Sequence, residues 1–94
     1  MRRFAVRAVV SLRRSILDVQ GKTVEQALQA IGFPMIAQVR IGKYIEMEVE
    51  ASSAEEARAV GEEACRRLLA NPVIEDYRIV EVEPVPAVAV GEPQ

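Results

Sequence analysis

Met35–Ala51 reads MIAQVRIGKYIEMEVEA. Its odd positions run Met35, Ala37, Val39, Ile41, Lys43, Ile45, Met47, Val49 and Ala51, all apolar except Lys43. After Ile36, its even positions are Gln38, Arg40, Gly42, Tyr44, Glu46, Glu48 and Glu50. Successive side chains on a pleated backbone point to opposite faces, so the stretch predicts β-structure with one dry face and one wet face. A two-residue turn at Gly42-Lys43 would set Val39 opposite Glu46 and mix the faces. A three-residue turn at Ile41 to Lys43 sets Val39 opposite Ile45 and Ala37 opposite Met47, which keeps the apolar face continuous. A single strand bent at Gly42 keeps it too, but at roughly 16 residues it exceeds the usual length of about 3–10. A tight turn or a sharp kink at Gly42 is therefore expected, and the alternation fits both.

Upstream, Phe4, Val6, Ala8, Val10 and Leu12 alternate with Arg3, Ala5, Arg7, Val9, Ser11 and Arg13, predicting a first strand whose even positions face the core. Ile16 and Leu17, in the loop that follows, are expected to tuck onto that core. Val24, Ala27, Leu28 and Ile31 then lie at the spacing of an amphipathic helix. Thr23 and Gln26 have the spacing of a capping box, a start nearer Gln20 is also open, and Gly32 with Pro34 ends the helix.

Downstream, Ser53 and Glu56 form the capping box of a second helix with the apolar stripe Ala57, Val60, Ala64, Cys65 and Leu68. Arg66 and Arg67 suit its C-terminal end, and Asn71-Pro72 stops it after about 17 residues. Ile74–Glu83 is a last strand of broken phase, with Tyr77 and Ile79 on one face and Val80 and Val82 on the other. Either a bulge at Ile79-Val80 accounts for it, or both faces are covered and another subunit supplies the second cover. Pro84, Pro86 and Pro93 exclude a central strand beyond that point. Residues 1–84 thus form a single domain, and Val85–Gln94 a mobile tail. The order β-α-β-turn-β-α-β is that of a ferredoxin-like α+β sandwich, with two helices on one face of an antiparallel sheet.

Ninety-four residues suit one domain, and half of them are apolar, enough for a core with some left for an interface. Two Phe, two Tyr and no Trp argue against a stacking platform for single-stranded nucleic acid. A formal net charge of −2, from 12 basic and 14 acidic residues, gives no broad footprint for DNA or RNA. Arg2, Arg3, Arg7, Arg13 and Arg14 make only the first strand locally basic, as a solvated edge. One cysteine cannot close an internal disulfide, which fits a cytoplasmic setting. No apolar run approaches the roughly 20 residues of a membrane span, and arginines interrupt any signal-peptide core at the N-terminus.

Histidine is absent, which removes the commonest general base and metal ligand. Cys65 sits on a helical apolar stripe, the place of an inert core thiol. Glu46, Glu48 and Glu50 project from one strand face about 6–7 Å apart, the pattern of a solvated face more than of a metal site. Gly42 has no second glycine and no G-x-x-x-x-G-K-[ST] pattern around it, so it reads as a backbone permission and not as a phosphate loop. No catalytic, cofactor-binding or metal-ligating constellation emerges from the residues.

Three blocks resemble the PurS subunit of bacterial and archaeal phosphoribosylformylglycinamidine synthase. Leu12 to Leu28 (LRRSILDVQGKTVEQAL) carries S-I-L-D-x-Q-G, and Val39 to Glu46 (VRIGKYIE) carries V-R-x-G-K. Leu68 to Tyr77 (LLANPVIEDY) carries L-L-A-N-x-V-I-E-D-Y. Their order and spacing agree with the family from Phe4 to Val82.

The resemblance implies a non-catalytic small subunit without a cofactor, forming a homodimer or tetramer. It implies assembly with the large synthetase subunit PurL and the glutaminase subunit PurQ, without nucleic acid or membrane. The complex it implies works at the fourth step of purine biosynthesis. There formylglycinamide ribonucleotide, ATP, glutamine and water give the amidine, ADP, phosphate and glutamate, and the small subunit assists ammonia transfer. On this reading Arg40, Gly42, Lys43, Tyr44, Asn71, Glu75, Asp76 and Tyr77 serve structure and subunit contacts. Lys43, which interrupts the apolar row, is where a partner is expected. The alternatives share the topology: an ACT-like regulatory domain that binds a small molecule, and an acylphosphatase-like enzyme using Arg14 and Asn71.

Overall fold

The structure, a computed structural model, describes residues 1–86. Strand β1, Arg2–Leu12, is central in a three-stranded antiparallel sheet of order β2-β1-β3, with β2 at Lys43–Ala51 and β3 at Glu75–Pro84. Phe4, Val6, Ala8 and Val10 are buried on one face of β1, as its alternation predicts. Val49 and Ala51 of β2 join them, with Ile79 and Val82 of β3 packed alongside. Arg7 pairs with Glu81 and Ala8 with Ile79, so Val80 is the extra residue of a bulge. The bulge restores the alternation that the sequence of β3 breaks. Pro84 lies at the end of an edge strand, where a missing N–H costs least.

Helix α2, Ala54–Ala64, runs on into a π-helical turn at Cys65–Leu69. The Ser53 side chain accepts from Glu56 N at 3.1 Å, and the Glu56 carboxylate accepts from Ser52 N. The capping box therefore forms, closing on Ser52 instead of on Ser53. α2 packs across all three strands. Its buried stripe is Ala57, Gly61 and Cys65, whereas Val60 and Leu68 of the expected stripe are exposed. Small residues bring the helix close to the sheet: a Cβ on Gly61 would sit 2.7 Å from a Val6 methyl.

Helix α1, Val19–Ala30, behaves differently. Its N-cap is Asp18, not Thr23, whose hydroxyl donates to the carbonyl of Val19. Gly32, at φ 112°, makes the left-handed stop that the sequence predicts. The helix makes almost no contact with the sheet. Ile31 is 70% exposed, Val24 and Ala27 are also exposed, and Leu28 is half-buried. Leu17, expected on the core, is 71% exposed, although Ile16 is half-buried. The molecule is accordingly elongated: its radius of gyration is 17.4 Å, against the roughly 12 Å of a compact chain of this length.

The Met35–Ala51 stretch forms no hairpin. Lys43 pairs with Val10, Gly42 lies against Val10 and Ser11, and the Arg40 guanidinium reaches the carbonyls of Leu12, Arg13 and Ile16. The chain therefore continues straight past the end of β1, and only Lys43–Ala51 is strand. Gln38, at φ 60°, interrupts the extended backbone just before. The sheet has three strands where four were expected, and the outer edge of β2 carries no neighbour among the described residues. The tail expected at Val85–Gln94 starts with Val85 N donating to Arg3 O at 2.9 Å, and its remaining residues 87–94 lie outside the described residues.

Candidate functional site

One end of the sheet collects all three motif blocks, where β1 leaves and β2 and β3 enter. Asp18 is the centre of the first half. One of its carboxylate oxygens accepts from Gly21 N at 2.8 Å and the other from Ile41 N at 2.6 Å. The carboxylate is almost wholly buried, and those two donors, Gly21 first, hold its pKa below the usual range against the cost of burial. Gly21 is required for a different reason: a Cβ there would lie 2.3 Å from the carbonyl oxygen of Val39. Arg40 completes the joint by donating to the Leu12, Arg13 and Ile16 carbonyls, and Val39 N donates to the Glu25 side chain. The S-I-L-D-x-Q-G and V-R-x-G-K patterns are therefore two halves of one clasp between α1 and the chain entering β2.

The third block closes the other half. Asn71 N donates to the Glu75 carboxylate at 2.7 Å, Glu75 N donates back to Asn71 O, and the Asn71 side chain accepts from Val73 N. The bond from Val73 N closes an Asx turn, the reason an asparagine suits the exit from α2. Arg13 donates to Pro72 O and pairs with Asp76 at 3.4 Å. Lys43 Nζ lies 3.8 Å from Glu75 and donates to Leu69 O, joining the two halves. Gly42 is held against β1, since a Cβ there would meet Val10 O at 2.5 Å.

Of the eight expected contact residues, Arg40, Gly42, Lys43, Asn71, Glu75 and Asp76 thus gather at this end of the sheet. Tyr77 is half-buried opposite Val10 on the α2 face. Tyr44 is separate: it lies on the opposite face, its hydroxyl 3.3 Å from Glu46, with burial first and that carboxylate second raising its pKa. Lys43 lies beside a cleft of about 440 Å³, lined also by Leu17, Asp18, Ile41 and Glu75. Sequence reasoning overlooked Asp18, Gly21 and Arg13, although Asp is a preferred N-cap and stands three residues before Gly21.

The face of the sheet away from α2 is charged. Arg7 donates to Glu46, Glu81 and Glu83 at 2.8–3.0 Å, and Arg3 pairs with Glu48 and Glu50. The bonds to Glu83 and then Glu46 hold the Arg7 guanidinium firmly protonated. Glu46, Glu48 and Glu50 are therefore balanced by arginines. Cys65 is fully buried and burial pushes its thiol up, the state of an unreactive core cysteine. No helix is long and apolar enough to cross a membrane, and no group of three or more acidic or cysteine side chains is arranged to hold a metal ion, among the described residues.

Comparison with known proteins reaches the same blocks. The family model PurS, described as phosphoribosylformylglycinamidine (FGAM) synthase, matches residues 5–83. The phosphoribosylformylglycinamidine synthase subunit PurS of Bacillus subtilis (strain 168) is 45% identical over 84 residues, covering 89% of this chain and 98% of that protein. The structure of Thermus thermophilus PurS superposes with a TM-score of 0.81 at 34% identity, covering 89% of this chain and 99% of that one. A chain of the PurLQS structure from Thermotoga maritima gives 0.77 at 35%, covering 90% and 100%. A match that runs from β1 into β3, with a fold held in common at that level, makes this chain a member of the PurS family.

Proposed function

We propose that the chain is the small, non-catalytic subunit of phosphoribosylformylglycinamidine synthase, the ATP-dependent amidoligase that carries out the fourth step of purine biosynthesis. The family match over residues 5–83 carries this reading. The geometry supports it, because the motif residues are spent on joining elements to one another. Asp18, Gly21 and Arg40 fasten α1 to the chain entering β2, and Asn71 with Glu75 shapes the entry to β3. A subunit built this way contributes shape and surface, while the chemistry belongs to its partners. Those partners are the synthetase subunit PurL and the glutaminase subunit PurQ, by the counterpart in the Thermotoga maritima PurLQS structure. The chain forms oligomers with itself, assists the passage of ammonia between the two active sites, and works in the cytoplasm. Residues 1–84 act as its one domain, and the end of the sheet around Lys43 and Glu75 faces a partner.

Co-purification from a cell expressing all three subunits tests the assembly: the tagged chain should retain PurL and PurQ, and isolation of the chain alone refutes it. Lys43→Ala tests the contact. Lys43 is half-exposed and its pairing with Glu75 is long, so the fold should survive while retention of PurL falls. Unchanged retention would remove this end of the sheet from the interface.

A further inference from the structure

The last turn of α2 departs from the period of its sequence. Leu68 stands three residues after Cys65 and seven after Gly61, so an α-helix would set all three on the buried stripe. Instead Leu68 is 83% exposed, and its neighbour Leu69 is half-buried. The cause is the π-helical turn at Cys65–Leu69. Cys65 N donates four residues back, to Gly61 O, whereas Ala70 N reaches five back, to Cys65 O at 2.9 Å. The turn holds one residue more, so each side chain beyond Cys65 takes the direction that its predecessor has in an α-helix. Leu69 thereby takes the inward place of Leu68.

We propose that this end of α2 is a two-register switch: a π register with Leu69 inward and Leu68 outward, and an α register with the two exchanged. The sequence makes the registers nearly equivalent. Cys65 is followed by Arg66-Arg67 and Leu68-Leu69, so a shift by one residue replaces arginine by arginine and leucine by leucine. The residues first differ at the next step, where Leu69 takes the place of Ala70. A hollow of about 180 Å³ beside Ala70, lined also by Pro72, Glu75 and Tyr77, has room for the larger side chain. In the α register Leu69 N, four residues on, replaces Ala70 N as the donor to Cys65 O. Ala70 joins the connection to β3, whose turn at Asn71 to Glu75 is closed by its own bonds. Two contacts favour the π register: Lys43 Nζ donates to Leu69 O at 3.4 Å and lies 3.8 Å from the Glu75 carboxylate. Both are long, and Lys43 is exposed, so they bias the register without fixing it. The exposure of Leu68 is thus connected to the place of Lys43 on β2. The switch belongs to the chain itself and goes beyond the subunit reading.

Backbone relaxation dispersion on the full-length chain reads the exchange, because helix register shifts fall between microseconds and milliseconds. Amides from Arg66 to Ala70 should show dispersion, and those from Ala54 to Gly61 should not. Flat profiles from Arg66 to Ala70 overturn the switch. Deleting Arg67 separates a change of register from ordinary fraying. The deletion sets Ala70 N four residues from Cys65 O and keeps Leu69 inward, so a single α register is left. Dispersion should be lost in this variant, and dispersion that persists overturns the proposal. Lys43→Ala removes the bias and should raise the exchanging fraction about two- to five-fold, the worth of one weak polar contact. An unchanged fraction overturns the proposal even if the deletion variant fails to fold. None of these measurements involves PurL, so failure of the switch and failure of the subunit reading are told apart.

Discussion

Asp18 joins two backbone amides that are 20 residues apart in sequence, those of Gly21 and Ile41. Its carboxylate is both helix cap and clasp, so removing it frees the start of α1 and the chain before β2 together. Asp18→Ala is expected to lower the melting temperature by about 5–10 °C, a large effect for one cap because a second amide loses its acceptor too. The pH dependence follows from the sign of its shift. The folded carboxyl is harder to protonate than the unfolded one, which ionises near about 3.9. Its contribution to stability is therefore complete above that value, and it is lost as pH falls through the lower folded pKa. Asp18→Asn should make the acid side of the stability curve shallower in a pH series of thermal melts. A remainder should persist, because the Ser52 amide and hydroxyl hold Glu56 low in the same way. Gly21→Ala should be more damaging than an exposed Gly→Ala, since its methyl would enter the Val39 carbonyl.

At the scale of the element, α2 shows what a hydrophobic stripe conceals. Its contact with the sheet runs through Ala57 and Gly61, where the closeness of the backbone replaces side-chain bulk. Gly61→Leu should cost about 1–3 kcal/mol or more in urea unfolding, because Val6 beneath it is fully buried and has nowhere to move. Val60→Ser, at an exposed position, should change stability by less than about 0.5 kcal/mol in the same assay. The sequence stripe included Val60 and Leu68 because apolar size was counted, and glycine has none. The alternation of β1 was legible because one face meets α2 and the other meets water. The broken phase of β3 was legible as a bulge or as a strand covered on both faces, and only its register against β1 selects the bulge. The Met35–Ala51 alternation was legible as two faces and not as a partner. Side-chain period states which way residues point, but not which edge, or whose, completes the ladder. The clasp at Asp18 escaped because its second donor, Ile41 N, is supplied by the fold and leaves no local trace.

For the molecule as a whole, the sheet face away from α2 is an ionic lattice centred on Arg7. Three carboxylates share that one guanidinium, and without it Glu46, Glu81 and Glu83 repel one another. Arg7→Gln should lower the melting temperature, and raising salt to 1 M should narrow the difference as the screening length falls to about 3 Å. The detached α1 has a different consequence. A helix of 12 residues is marginal alone in water, and this one has little of its own chain to lean on. Its order therefore rests on the bonds that tie Asp18, Glu25 and Gln29 to residues 36–41. Amide exchange should be faster throughout α1 than in β1, and Asp18→Ala should speed it further in α1. The molecule thus joins a half anchored by packing to a half anchored by a few polar bonds, and the second half is the one that opens first.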